Sequence, residues 1–184
     1  MSILKAIARQ SLYASLLLAC PTSFVGAQTS AIPEYQVKAA FLFNFTKFVE
    51  WPPSSFSTPQ APLVIGIYGK DPFGSYLKET VAGEKIDGHP LVIQYYSSIE
   101  EIRTCHILFI NETETHKVKQ VIESLKGRSI LTVSDKPDFM KNGGMIRLFI
   151  ENNKTRLRIN REATEAANLV ISSKLLRIAE IFVP

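Results

Sequence analysis

Residues Leu63 to Gly83 read LVIGIYGKDPFGSYLKETVAG, and this stretch decides the fold class. Leu63 to Gly69 is a short apolar run without a charged residue, the pattern of a strand covered on both faces. Lys70 to Gly74 is a turn-rich loop. Asp71 offers a helix cap, Pro72 suits a first helical turn, and Gly83 suits the stop. A buried strand followed at once by a helix is the first half of a βαβ unit. The same alternation continues outward. HPLVIQYY (89–96) is a second strand, and SSIEEIRTC (97–105) predicts a short helix with Ser97 or Ser98 as cap and glutamates in its first turn. HILFIN (106–111) is a third strand. ETETHKVKQVIESLKG (112–127) is an amphipathic helix with Val118, Val121, Ile122 and Leu125 on one face and Gly127 just past its end. RSILTVSD (128–135) is a fourth strand, and KPDFMKNGG (136–144) a turn-rich connection. MIRLFIEN and KTRLRIN flank Asn152-Asn153, a tight hairpin turn because Asn tolerates positive φ. REATEAANL (161–169) and SSKLLRIAEIF (172–182), the latter capped by Ser172 or Ser173, predict a helical end. Alternating strands and helices build a mainly parallel sheet with helices on both faces, and the hairpin adds an antiparallel element near the C-terminus. The expected class is mixed α/β.

Upstream, Glu34 to Pro52 read EYQVKAAFLFNFTKFVEWP. Pro52 and Pro53 disfavour helix in the residues before them, so this helix is expected to end at about Trp51. Val37, Phe41, Phe45, Phe48 and Val49 recur at helical spacing, and Ala39, Leu42 and Phe43 make a second apolar face. A helix apolar on two sides is buried between a sheet and something else. Lys38, Asn44, Lys47 and Glu50 make it too polar to span a bilayer. Its second face has two uses, covering the sheet or meeting another chain, which makes Phe41, Phe43, Phe45 and Trp51 the candidate contacts for a partner or a second copy.

The chain has 184 residues, 46% of them apolar, enough for one domain with a real core. Lys5 and Arg9 begin a basic start, Leu12 to Ala19 is too short to span a membrane, and Val25-Gly26-Ala27 supplies small residues for signal-peptidase cleavage. Residues 1–27 are read as a signal peptide, 28–33 as a short linker and 34–184 as one domain. Leu17-Leu18-Ala19-Cys20 also resembles a lipobox, which would anchor the chain by lipid at Cys20. Both routes export the domain, to a bacterial periplasm. Of 21 basic residues the leader removes two, leaving 19 against 17 acidic, a net of +2. Such balance argues against nucleic acid as a partner. With Cys20 gone, Cys105 stands alone and no intramolecular disulfide forms; it reads as a small buried side chain ahead of a strand.

The usual enzyme motifs are absent: no nucleophile elbow, no His-Glu-x-x-His, no cysteine pair at zinc spacing and no phosphate-binding P-loop. His89, His106 and His116 lack metal-motif spacing, and no metal, cofactor or catalytic residue is expected. Two regions suit a small anionic ligand. The first is the loop after the first strand, with Lys70, Asp71 and Gly74, because ligands of open α/β sheets bind beyond the carboxyl ends of strands. An ordinary capped turn explains the same residues. The second is the hairpin, where Arg156 and Arg158 point one way and Arg147 joins from the other strand. A solvated face paired with Glu151, Glu162 or Glu165 explains these equally. Ser173 and Lys174 follow a capping serine and add a third, smaller candidate.

Six strings resemble one family in order: KAAFLFNFTKFVEWP, LVIGIYGKDPFG from Leu63, CHILFI from Cys105, ILTVSD from Ile130, GGMIRLFIENNKTRLRIN from Gly143 and ISSKLLRIA from Ile171. Together they are similar to the YfiR family of bacterial periplasmic proteins over nearly all of the chain after Ala31. The resemblance implies a regulator, not an enzyme. It implies repression of an inner-membrane diguanylate cyclase of the YfiN kind, or of a related sensor kinase, through the periplasmic part of that partner, lowering cyclic-di-GMP and biofilm formation. Some relatives carry several cysteines and use disulfides; this chain departs from them. A periplasmic sensor of a small ligand, feeding a membrane receptor or kinase, is the alternative reading.

Overall fold

The computed structural model describes residues 33–183. The expected signal peptide, the cleavage site after Ala27, the lipid anchor at Cys20 and most of the linker lie outside the described residues.

Helix α1 (Glu34–Phe48) runs into a two-residue strand β1 (Val49–Glu50) and a single 3-10 turn at Pro53–Ser55. Then come β2 (Leu63–Gly69), α2 (Ser75–Val81), β3 (Lys85–Ile86), β4 (His89–Tyr96) and β5 (Ile107–Asn111). Helix α3 (Thr115–Ser124) leads to β6 (Leu131–Ser134), and β7 (Ile146–Glu151) and β8 (Lys154–Ile159) form the hairpin. The chain closes with α4 (Arg161–Ala166), β9 (Val170–Ile171), α5 (Ser173–Leu176) and β10 (Glu180–Ile181). Eight strands form one sheet in the order β10-β8-β7-β6-β5-β2-β4-β3, and β1 pairs with β9 in a separate ribbon. The pairings from β4 through β7 are parallel, and β7–β8 is antiparallel, as the alternation and the hairpin predict. Asn152 and Asn153 hold φ values of 49° and 58°, the double left-handed turn that a two-residue hairpin needs.

Strand alternation sends side chains to two separate cores. Ile65, Ile67, Phe109, Val133, Leu148 and Leu157 face α1 and α2. Tyr68, Leu108 and Ile110 face the opposite way, under Val118, Val121 and Ile122 of α3. Gly66 belongs to that second side. A Cβ there would stand 2.6 Å from the Tyr96 ring, 2.8 Å from Cys105 Sγ and 2.9 Å from a Leu108 methyl. The absent side chain thus lets β4 and the approach to β5 close over β2.

Several local expectations are corrected. Helix α1 stops at Phe48, three residues before Trp51, because Val49 and Glu50 are extended and pair with Ile171 and Val170. Its most buried residues are Lys38, Ala39, Leu42, Phe45 and Thr46, whereas Val37, Phe41 and Phe48 are only half-buried. Ser97–Cys105 is a chain of turns rather than a helix: the Glu101 carboxylate accepts from the amides of Ser97 (2.7 Å) and Ser98 (3.3 Å), tying the segment back on itself. The Asp71 carboxylate accepts from the Phe73 amide at 2.8 Å, and α2 begins only at Ser75, after Gly74 at φ 58°. The expected C-terminal helix ends after one turn, and Glu180–Ile181 instead adds a parallel edge strand beside β8.

Candidate functional site

Lys70, Asp71 and Gly74 stand where the sheet order reverses, since β2 has β4 on one side and β5 on the other. The two loops at this point hold each other. Asn111 Nδ2 donates to the Lys70 carbonyl at 2.7 Å, and a Cβ on Gly69 would lie 2.7 Å from the Asn111 carbonyl oxygen. Phe73 is buried between Tyr35 (ring centroids 5.7 Å apart) and Phe109 (4.8 Å). Lys70 and Gly74 are exposed, and the Asp71 carboxylate is engaged within its own loop.

The same end of the sheet carries a cluster that sequence patterns did not single out. Asp135 follows the last residue of β6, and its Oδ2 accepts from Lys38 Nζ at 2.7 Å and from the Tyr35 hydroxyl at 2.9 Å. Lys38 is only 1% exposed and also pairs with Glu34. Burial works to raise the Asp135 pKa, but the hydrogen bond and charge of Lys38, the Tyr35 hydroxyl and the Lys136 charge together hold it below the ordinary aspartate value. Burial, with the Asp135 carboxylate, pushes the Tyr35 phenol up to about 12. The one available signal was Lys38 itself, a cation inside an apolar helix pattern.

Arg147, Arg156 and Arg158 come together on one face of the hairpin. Arg147 stands opposite Arg158 and Phe149 opposite Arg156. The guanidinium groups of Arg147 and Arg158 lie 5.3 and 5.1 Å from the centre of the Phe149 ring. Glu180 on β10 takes Arg158 through Nε (3.0 Å) and Nη2 (2.5 Å) and lies 3.9 Å from Arg156. Arg147 forms no ion pair among the described residues, and its buried Nε has no hydrogen-bond partner. Burial and the neighbouring Arg158 charge both work against its charged form.

At the opposite end of the strands the structure gathers aromatic rings. Phe56 is sandwiched between His89 (3.9 Å, 18° between planes) and His106 (4.5 Å, 24°). Trp51 Nε1 donates to the His106 carbonyl at 3.1 Å, and His106 Nδ1 accepts from the Val64 amide at 3.0 Å. Burial drives the His106 pKa down to about 4 against the Ser55 carbonyl, which favours its charged form. A cleft of about 570 Å³ opens beside Trp51, Phe56 and His89. Spacing could not have paired His89 with His106, because His89 begins β4 and His106 precedes β5, on opposite sides of β2, and the two meet only through the Phe56 ring between them.

Ser173 and Lys174 join this end. Ser172 N donates to the Phe48 carbonyl at 2.9 Å, and Ser172 Oγ caps α5 by accepting from Leu175 N, as the sequence implies. The β1–β9 ribbon thereby sets both exposed residues next to the segment leading into Trp51. Of the aromatic contacts expected for a partner, Phe41, Phe43 and Trp51 are half-buried, and Phe45 is fully enclosed in the core. Lys47 lies over the Phe43 ring at 4.1 Å. Cys105 is buried, its thiol donates a hydrogen bond to the Ile107 carbonyl at 3.1 Å, and burial pushes that thiol up to about 12. Among the described residues no three His, Cys, Asp or Glu side chains converge as metal ligands, and no helix is long and apolar enough to cross a membrane.

A family model described as YfiR/HmsC-like matches residues 35–180. No curated protein matches the chain. Among solved structures, a Streptococcus pneumonia ABC domain in complex with L-Trp is similar at 11% identity and a TM-score of 0.47, covering 65% of this chain and 55% of that one. The chain therefore spans about half the length of that structure.

Proposed function

This chain belongs to the YfiR/HmsC-like family, and from that premise we propose that it is a periplasmic regulatory protein that represses an inner-membrane diguanylate cyclase of the YfiN kind, or a related sensor kinase. The family match carries this reading; it runs from the first turn of α1 to the first residue of β10. Repression would act by differential affinity: the protein binds one state of the partner's periplasmic domain better than the other, and the cyclase populates that state. Release would raise cyclic-di-GMP and promote biofilm formation. The surface proposed for the contact is the outer side of α1 and the end that follows it, with Phe41, Phe43 and Trp51 reachable and Phe45 supporting them from the core. A second copy of the chain competes for the same surface.

Deleting the gene tests the reading directly. Cyclic-di-GMP is expected to rise and to return on complementation; unchanged levels would sink the repressor role.

A second reading is favoured by one observation, the arginine without an acid. Arg147 faces Arg158 and Phe149 with no carboxylate of its own, so a small anion with a flat apolar part suits that face. Lys70, Asp71, Gly74, Ser173 and Lys174 remain proposed secondary contacts for such a ligand. A thermal-shift screen with nucleotides and amino acids, run on the wild type and on Arg147→Gln, tests it. A stabilising ligand whose effect disappears in the variant supports the site, and no shift with any ligand counts against it.

A further inference from the structure

A cavity of about 680 Å³ lies between α3 and α4, over the open end of the second core. Its walls are apolar: Ile122 and Leu125 from the α3 side, Met140 and Met145 from the segment around the β6–β7 connection, Ala163 from α4, and Phe182 from the C-terminal segment. That size and lining are what a small-molecule site presents.

Two buried polar side chains, Asn160 and Thr132, interrupt the lining with hydrogen-bond donors to spare, whereas Asn142 Nδ2 is already given to the Asp138 carbonyl. Asn160 is 7% exposed. Its Oδ1 caps α4 by accepting from Ala163 N at 3.1 Å, while its Nδ2 donates to no group among the described residues. Thr132 is 2% exposed, and its Oγ1 accepts from Met145 N at 3.2 Å, which leaves the hydroxyl proton unassigned. Neither atom is a sealed, unpartnered group: Asn160 Nδ2 reaches the cavity, where an acceptor on a bound molecule can replace water, and the Thr132 hydroxyl can turn toward the same acceptor. The mouth carries Lys119, Lys126 and Lys141 against Glu123 and Glu162. Lys126 pairs with Glu123 and Lys141 with Asp138, whereas Lys119 forms no ion pair among the described residues. None of the hairpin arginines lines the cavity.

We propose that this cavity binds an amphipathic carboxylate, its apolar body against Ile122, Met140, Met145 and Phe182 and its carboxylate accepting from Asn160 Nδ2 and Thr132 Oγ1. The site is independent of the regulatory reading and of the arginine face. It requires only the donors and the walls named above.

The two methionines are built-in reporters, since Met140 and Met145 are two of the three in the chain. The purified protein, carrying ¹³C-methyl methionine, is titrated with sodium decanoate below its micellar concentration. In parallel it is titrated with decyltrimethylammonium, which has the same tail and the opposite head charge. Decanoate is expected to shift both methyl signals saturably, with the cationic amphiphile weaker by about tenfold or more, roughly one decade of Kd. Asn160→Asp keeps the cap on α4 but replaces the donor with a carboxylate, and is expected to weaken decanoate by about tenfold or more. Ala163→Phe fills the space and should abolish binding. If Ala163→Phe fails to fold, Asn160→Asp alone decides. No saturable shift, equal binding of the two head groups, or an Asn160→Asp variant that binds as the wild type does would each overturn the site. Concentration-dependent shifts of the same methyls without ligand would instead place a second copy of the chain there, and would overturn it too.

Discussion

Lys38 and Asp135 lie 97 positions apart in the chain and meet at 2.7 Å, joining the first turns of α1 to the end of β6. The ammonium is almost fully buried, so the pair locks the helix to the sheet at the cost of two desolvated charges. Removing one partner leaves the other charged and enclosed. Lys38→Met is expected to cost roughly 3 kcal/mol in urea unfolding, whereas Lys38→Met with Asp135→Leu should recover much of that loss. A single variant as stable as the wild type would show that water reaches the site.

The fold is expected to weaken in mild acid through His106. Its pKa falls from 6.5 to about 4 on folding because burial opposes the charge. Between those values the unfolded chain binds a proton that the folded chain refuses. The contribution is therefore complete above about pH 6.5 and is lost as pH falls toward about 4, by roughly 3 kcal/mol in all. Asp135 has the same sign lower down. Its depressed folded pKa gives stability that is present above the ordinary aspartate value and is lost as pH falls through the folded one. Denaturation midpoints of His106→Asn, whose side-chain oxygen can still accept from Val64 N, should be flat across the upper window and still fall in the lower one.

Gly66→Val should be among the most damaging single changes in the sheet. A side chain there meets Tyr96, Cys105 and Leu108 within 2.9 Å. Overpacking of this kind costs roughly 1–3 kcal/mol. Gly66→Val combined with Leu108→Ala should regain part of it, because Leu108 supplies one of the three contacts. Thermal midpoints of the two variants check the expectation.

Burial grades the aromatic residues of α1: Phe43 is half-buried and Phe45 fully buried. Phe43→Asp, at a half-buried position that packs on the core, should cost roughly 1–3 kcal/mol in urea unfolding but leave the protein folded, and should raise cyclic-di-GMP if that face meets the cyclase. Phe45→Asp, at a fully buried position, should instead abolish folding. A Phe43→Asp variant that folds and represses normally would move the contact away from α1.

The sheet and its hairpin were legible because they rest on local chemistry. Ile65 and Ile67 sit in an apolar run bounded by turn residues, α3 shows its buried stripe at helical spacing, and Asn152-Asn153 tolerate the positive φ the turn demands. Strand alternation puts Arg156 and Arg158 on one face, and the register sets Arg147 opposite Arg158. Residues 97–105 and 177–182 misled for a related reason. Their serines, glutamates and leucines suit a helix locally, but the Glu101 carboxylate turns the first segment back on itself, and β8 offers an open edge that takes Glu180 and Ile181 as a strand. Short elements follow their neighbours rather than their propensities.

By itself, then, the sequence determined the α/β class, the long strands with α1, α2 and α3, the hairpin and the family. All of these depend on periodicity, turn residues and motif order along the chain. Only the tertiary structure decided which polar groups meet: Lys38 with Asp135, Phe56 between His89 and His106, Arg158 with Glu180, and the open cavity beside Asn160. Those pairings span tens of residues. They exist because parallel strands and their crossovers bring distant positions into register, which no local pattern encodes.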